Sequence, residues 1–278
     1  MLNLKKSKYH AIAEIAESRG EKTDMLLTID IGNSYISFGC FEGDKLVFVS
    51  DTVTDIKKSC DQYAVEMLQI CSLYGVSAKN ISGAVICSVV PELTESIRTA
   101  AVRISGSAPI IVGPGIKSGL KINIDNPAQL GADTVATSVA AIERYKPPIV
   151  ICDFGTATVF DVIDNTASYA GMIICAGVGT TLDVLTKRTA LLPQVSITPP
   201  KKLVGTNSAA SVQSGLINGT AAMVDGIIDR LCEEYGENLT IVATGNYASK
   251  IIPMCRHNLH MEENLVFYGL KSIYYRNK

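Results

Sequence analysis

The sequence predicts an α/β protein of two duplicated domains, each a mixed sheet with flanking helices. Three observations carry this expectation. Strand-like apolar runs alternate with helical patterns from residue 25 onward. The chain has 278 residues, enough for two cores of ordinary size. A pattern of strand, Asp-x-Gly, small polar residues and strand occurs twice, at Asp30-Ile31-Gly32 and again at Asp153-Phe154-Gly155. That spacing is far longer than the roughly 20–50 residues of a solenoid period, and it suits a duplicated domain.

In chain order, residues 1–24 read as an extension: a short helix-like pattern at residues 9–16 and a polar stretch at 18–24 precede Met25, where a compact domain would begin. Residues 26–30 and 34–41 then read as two strands around a Gly-Asn turn, with a third strand at 45–50. Residues 61–74 place Tyr63, Met67, Leu68, Ile70 and Cys71 on one helical face. A buried strand follows at 83–90, a helix at 92–105 and a strand at 109–112. After Asn126-Pro127, a helix rich in small residues is expected over 135–143. Pro147 and Pro148 interrupt the chain before a new apolar strand, so the expected domains are 25–146 and 147–278. The second half repeats the strand pair around Gly155 and adds a strand over 239–243.

Composition narrows the function. Hydrophobic residues make up 47% of the chain and the formal net charge is only -2, which describes a globular protein and gives no basic footprint for nucleic acid. No run approaches the roughly 18 apolar residues of a membrane span. The eight cysteines stand singly with no CxxC pair, which reads as buried free thiols in a reducing cytoplasm.

The paired Asp-x-Gly hairpins, taken as facing each other across a cleft, suit a phosphate chain. Glycine lets backbone N–H groups approach oxygen, and neighbouring hydroxyls add donors. Asp30 and Asp153 would repel bare phosphate, so a cation or ordered water is expected between them and the anion. Asp133 lies at or near a helix start, where a carboxylate either caps the helix or takes a proton from a substrate hydroxyl. Thr244-Gly245-Asn246 reads as a strand-end turn able to admit a nucleoside. The turn over residues 205–208 opens a helix near Ala209 whose N-terminus could accept an anion.

In this order, Asp30-Ile31-Gly32-Asn33-Ser34, Ser88-Val89-Val90-Pro91, Asn126-Pro127 with Gly131-Ala132-Asp133, and Asp153-Phe154-Gly155-Thr156-Ala157-Thr158 resemble the type III pantothenate kinases of the actin-like, hexokinase-like superfamily. Leu191-Leu192-Pro193, Gln213-Ser214-Gly215 and Gly269-Leu270 extend the likeness from about residue 25 to the end. The resemblance implies two actin-like (ribonuclease H-like) domains and ATP-dependent phosphorylation of pantothenate, the first step of coenzyme A biosynthesis. It further implies a cytoplasmic homodimer that uses Mg2+ with ATP and a monovalent cation, K+ or NH4+. By position, Asp30, Ile31, Gly32, Asn33, Ser34, Tyr35, Ile36, Ser37 and Thr156 would hold ATP. Asp133 would be the general base and Asp153 the ligand of the monovalent cation. Gly131, Ala132, Asp133, Thr134 and Ser208 would touch pantothenate.

The chain departs from the family pattern at Thr134, where an arginine is usual, and at Ile124, Val159, Met172, Ala176 and Asn246. Losing the arginine removes a charge-assisted hold on an acceptor carboxylate. Two alternatives therefore stay open: a non-catalytic paralogue that binds nucleotide or a pantothenate-like ligand, and a kinase for another small hydroxylated acceptor.

Overall fold

The computed structural model describes residues 24–278. The helix-like pattern expected at residues 9–16 lies outside them. Contacts divide the chain into two compact units. The first runs up to Lys117 and includes Gly131–Asp133 and Leu270–Lys278; the second comprises Ser118–Leu130 and Thr134–Gly269.

The first unit is built on a five-stranded sheet, β1 (Met25–Ile31), β2 (Tyr35–Glu42), β3 (Lys45–Val53), β4 (Ile81–Ser88) and β5 (Ile110–Ile111), in the order β3-β2-β1-β4-β5. β1, β2 and β3 form antiparallel pairs, while β4 runs parallel to β1 and β5 parallel to β4. Parallel strands need crossovers, and helices α1 (Cys60–Leu73) and α2 (Pro91–Ser105) supply them. A reciprocal capping box between Ser59 and Gln62 starts α1. Tyr63, Ala64, Met67 and Cys71 are its buried stripe. Leu68, expected on that stripe, is exposed instead, because it falls at the edge of the arc that Tyr63, Ala64, Met67 and Cys71 cover. Pro91 opens α2 and Gly106, at φ 68°, closes it in the left-handed conformation. Ile29, Ile31, Phe38, Tyr63, Ile86 and Ile97 are central to this unit's core.

The second unit repeats the plan. Its strands are β6 (Lys121–Ile122), β7 (Ile149–Phe154), β8 (Ala157–Ile163), β9 (Ser168–Ala176), β10 (Thr240–Thr244) and β11 (His260–Met261), in the order β11-β10-β7-β8-β9-β6. β7, β8 and β9 are antiparallel neighbours, β10 is parallel to β7, and β11 is parallel to β10. With β6 set aside at the edge, order and direction match the first sheet, which bears out the duplication. Its helices are α4 (Val178–Arg188), the 28-residue α5 (Ser208–Tyr235) and the short α6 (Ala248–Ile251), with most of α3 (Ala132–Arg144) and the start of α7 (Leu265–Asn277); the first two residues of α3 and α7 from Leu270 onward belong to the first unit. Phe154, Phe160, Leu182, Ile217 and Val224 pack together in the core.

Several motifs of the resemblance have a packing role. Gln213 donates from Nε2 to Ser196 O at 3.0 Å, and the Ser214 hydroxyl donates to Leu203 O, so the first turns of α5 tie down the loop after α4. Gly269 lets α7 lie on α3, since a Cβ there would strike the Ala136 backbone. The Ser88 hydroxyl receives Val90 N–H at 3.2 Å and the Thr94 hydroxyl at 2.8 Å, fixing the step from β4 into α2. The thiols divide: Cys40, Cys71, Cys87 and Cys152 are buried as expected, but Cys60, Cys175, Cys232 and Cys255 are partly exposed.

Candidate active site

Asp30 is the penultimate residue of β1 and Asp153 the penultimate residue of β7, each followed by one buried apolar residue and a glycine. The apolar residue anchors the strand end, and the glycine begins the turn. Gly32 N–H donates to Tyr35 O at 3.0 Å, and Gly155 N–H donates to Ala157 O at 3.0 Å. The two turns differ in length. Ile31 pairs with Ile36 across the first, whereas Phe154 pairs with Thr158 across the second, so the first has one residue more. Asn33, Ser34 and Tyr35 form its exposed tip, while Ile36 is buried and Ser37 half-buried on β2. The Thr54 hydroxyl donates to Gly32 O at 2.7 Å and braces the turn from the end of β3.

In the first unit three titratable groups come together. Parallel register sets Asp30 opposite Cys87, so both side chains leave the same face of the sheet. The Cys87 thiol donates to Asp30 Oδ1 at 3.2 Å. Burial pushes this thiol well up, and the negative charges of Asp30 and Asp133 push it further. Asp133 therefore acts on the same group as Asp30, although 103 positions separate them in sequence (133 − 30). It sits in the first turn of α3 and not ahead of it, as the helix begins at Ala132. The carboxylate thus lies within the positive end of the helix macrodipole. Gly131, Ala132, Asp133 and Thr134 are all half-buried.

In the second unit, the turn after β7 is enclosed from two sides. The Thr180 hydroxyl of α4 donates to Thr156 O at 2.7 Å. Gly177 approaches the Gly155 and Thr156 carbonyls so closely that any side chain would collide. On the other side Tyr247 N–H donates to Phe154 O at 3.2 Å, and Gly245 lies against Asp153. Thr156 is exposed and Asp153 half-buried. The sequence showed Gly245 only as a turn and Gly177 only as the last glycine of the turn altered at Met172 and Ala176, while Thr180 carried no signal of its own. Ser208 is the exposed first residue of α5, where Asn207 caps the helix by accepting Ala210 N–H at 2.9 Å. That cap already occupies one of the N–H groups an anion would use.

The carboxylates of Asp30 and Asp133 in the first unit, and that of Asp153 in the second, are hard oxygen donors of the kind that Mg2+ or K+ takes. Among the described residues no three His, Cys, Asp or Glu side chains cluster closely enough to hold a metal ion by themselves. One or two carboxylates within a unit fit a cation that takes its remaining ligands from nucleotide phosphates and water, as Mg2+ does in kinases.

A family model described as type III pantothenate kinase matches residues 26–230. The chain belongs to the type III pantothenate kinase family. Type III pantothenate kinases of Brevibacillus brevis and Moorella thermoacetica are 39% and 38% identical to it, over 91% of this chain and 100% of each relative. Among solved structures, MreB 5 of Spiroplasma citri bound to AMPPNP superposes with a TM-score of 0.51 at 11% identity, covering 90% of this chain and 95% of that one. The ethanolamine utilization protein EutJ of Carboxydothermus hydrogenoformans gives a TM-score of 0.50 at 11% identity, covering 90% and 89%. These likenesses establish the fold, as expected from the paired hairpins. Among the described residues no helix is long and apolar enough to cross a membrane.

Proposed function

We propose that this type III pantothenate kinase family member transfers the γ-phosphoryl group of ATP to the primary hydroxyl of pantothenate, the first step of coenzyme A biosynthesis. The observation that carries the reading is the convergence of Asp30 and Asp133 on Cys87. It supports a reading in which one carboxylate serves the phosphate side and the other proton transfer. Phosphoryl transfer asks little covalent chemistry of a protein and much positioning and charge neutralisation. Asp133 accepts the hydroxyl proton, the freed oxygen attacks the γ-phosphorus, and the bond from that phosphorus to the β,γ-bridging oxygen breaks to release ADP. Residues 30–37 and Thr156 hold ATP, and Gly131, Ala132, Thr134 and Ser208 contact pantothenate. Asp30 would hold Mg2+, which would supply neutralisation of the phosphate charge. Asp153 holds the monovalent cation, K+ or NH4+; its support is a half-buried carboxylate backed by the closely packed Gly245 turn.

We extend the proposal to a cytoplasmic homodimer. Its support is the exposed apolar run Met172, Ile173 and Ile174 on β9 together with the exposed Leu191. Analytical ultracentrifugation reads this directly, and a monomer at micromolar concentration removes it.

An ADP-coupled assay with ATP, Mg2+, K+ and pantothenate tests the reaction, with Asp133→Asn as the control. General-base loss lowers turnover by roughly 100- to 10,000-fold. Equal rates for the two proteins sink the assignment of Asp133. Thermal stabilisation by ATP and pantothenate with no ADP formed would instead identify a binding paralogue. Turnover with another hydroxylated acceptor but not with pantothenate would move the substrate.

A further inference from the structure

We propose that Cys87 is a positioning residue for Asp30, its thiol hydrogen bond fixing the orientation in which that carboxylate meets the nucleotide side of the site. The inference rests on the phosphate-side role given to Asp30 above. Parallel pairing of β1 with β4 sets the two residues side by side, and the Sγ–Oδ1 separation is 3.2 Å. Cys87 is fully buried at 0% exposure and forms no disulfide. A carboxylate oxygen can only accept in this pair, so the thiol is the donor, and its complete burial withholds it from solvent-borne reagents. With Oδ1 engaged, rotation of the carboxylate about its terminal bond, otherwise broad, is restricted. Fixing that angle before ligand binding reduces the cost of ordering it afterwards.

The test compares Cys87→Ala, which removes the donor, with Cys87→Ser, which restores one in a smaller group. MgATP binding is measured by calorimetry, KM for ATP and for pantothenate by steady-state kinetics, and folding by thermal melts. Losing one modest hydrogen bond should weaken MgATP binding by roughly 3- to 10-fold in Cys87→Ala and raise the KM for ATP in parallel. The KM for pantothenate should stay within about 2-fold, and Cys87→Ser should recover most of the loss. Unchanged MgATP affinity in Cys87→Ala overturns the proposal, as does a Cys87→Ser protein equally weak in binding.

A second readout is the infrared S–H stretch of Cys87, isolated as wild type minus Cys87→Ala. Addition of MgATP should shift this band, because the charge felt by the Asp30 carboxylate changes. A band that MgATP does not move also overturns the proposal. If the wild-type protein binds MgATP but leaves pantothenate untouched, the proposed reaction fails, while binding and the infrared band still decide the role of Cys87. If it binds no MgATP, the assignment of Asp30 falls and the positioning role falls with it.

Discussion

Gly245, held at φ 93°, packs its main chain directly against the Asp153 carboxylate. The contact joins the end of β10 to the end of β7, where parallel register pairs Thr244 with Asp153. No larger residue fits, since a Cβ would strike Asp153 and the Phe154 backbone while also straining the left-handed conformation. Gly245→Ala should cost about 1–3 kcal/mol from backbone strain alone and should displace Asp153 as well. Gly236 offers the control: its φ is 99°, yet a Cβ there meets nothing within 4 Å. Thermal melts should show a larger loss for Gly245→Ala than for Gly236→Ala, and equal losses would show that the Asp153 contact carries no weight.

Asp225 should behave as a clamp. It is a buried carboxylate on α5 whose Oδ1 accepts the backbone N–H groups of Arg256 and His257, at 2.9 and 3.3 Å. Asp225→Ala leaves two main-chain donors without their partner and should cost roughly 2–4 kcal/mol in chemical denaturation. Asp225→Asn keeps an acceptor oxygen and should lose clearly less. A larger loss for Asn than for Ala would mean that charge, not acceptance, is what the site needs.

Thr158 runs the other way. Its hydroxyl is fully buried among the core side chains of the second unit and has no hydrogen-bond partner. Valine keeps the shape and removes the stranded polar group, so Thr158→Val should raise stability by about 1 kcal/mol. The expected reading is a melting temperature higher by roughly 2–4 °C. A fall would show that the hydroxyl is satisfied in solution.

Thiol chemistry should follow burial. Desolvation pushes Cys40 up to about 12 and Cys71 up to about 11. Only about one part in ten thousand of a thiol titrating near 12 is thiolate at pH 8, and thiolate is the reactive form. A disulfide reagent at pH 8 should label the partly exposed Cys60 and Cys175 first. The buried set should react only after denaturation, when all eight cysteines become available. Peptide mapping after a short exposure reads the order, and early labelling of Cys40 or Cys71 would contradict it.

The strands around both Asp-x-Gly turns were legible because alternation and glycine punctuation are local properties. Residues 26–30 and 34–41 read as strands, and the ends of β1 and β2 agree with them to within one residue. Leu68 was misread because periodicity marks an apolar face without saying which of its members the neighbouring helix leaves uncovered. Helix α3 begins earlier than the apolar pattern suggests, as Ala132 and Asp133 suit a first turn but add nothing to a hydrophobic stripe. Cys87 was legible only as a buried thiol.

The sequence by itself determined the duplicated α/β plan, the two glycine turns and the motif order that marks the family, because each depends on residues near one another along the chain. Tertiary structure alone decided that Cys87 donates to Asp30, that Asp133 acts on the same thiol, and that Gly245 rests on Asp153. These relations arise from the register of parallel strands and the placement of a helix end. Parallel partners are joined through long crossovers, so nothing local in the chain fixes which residue faces which.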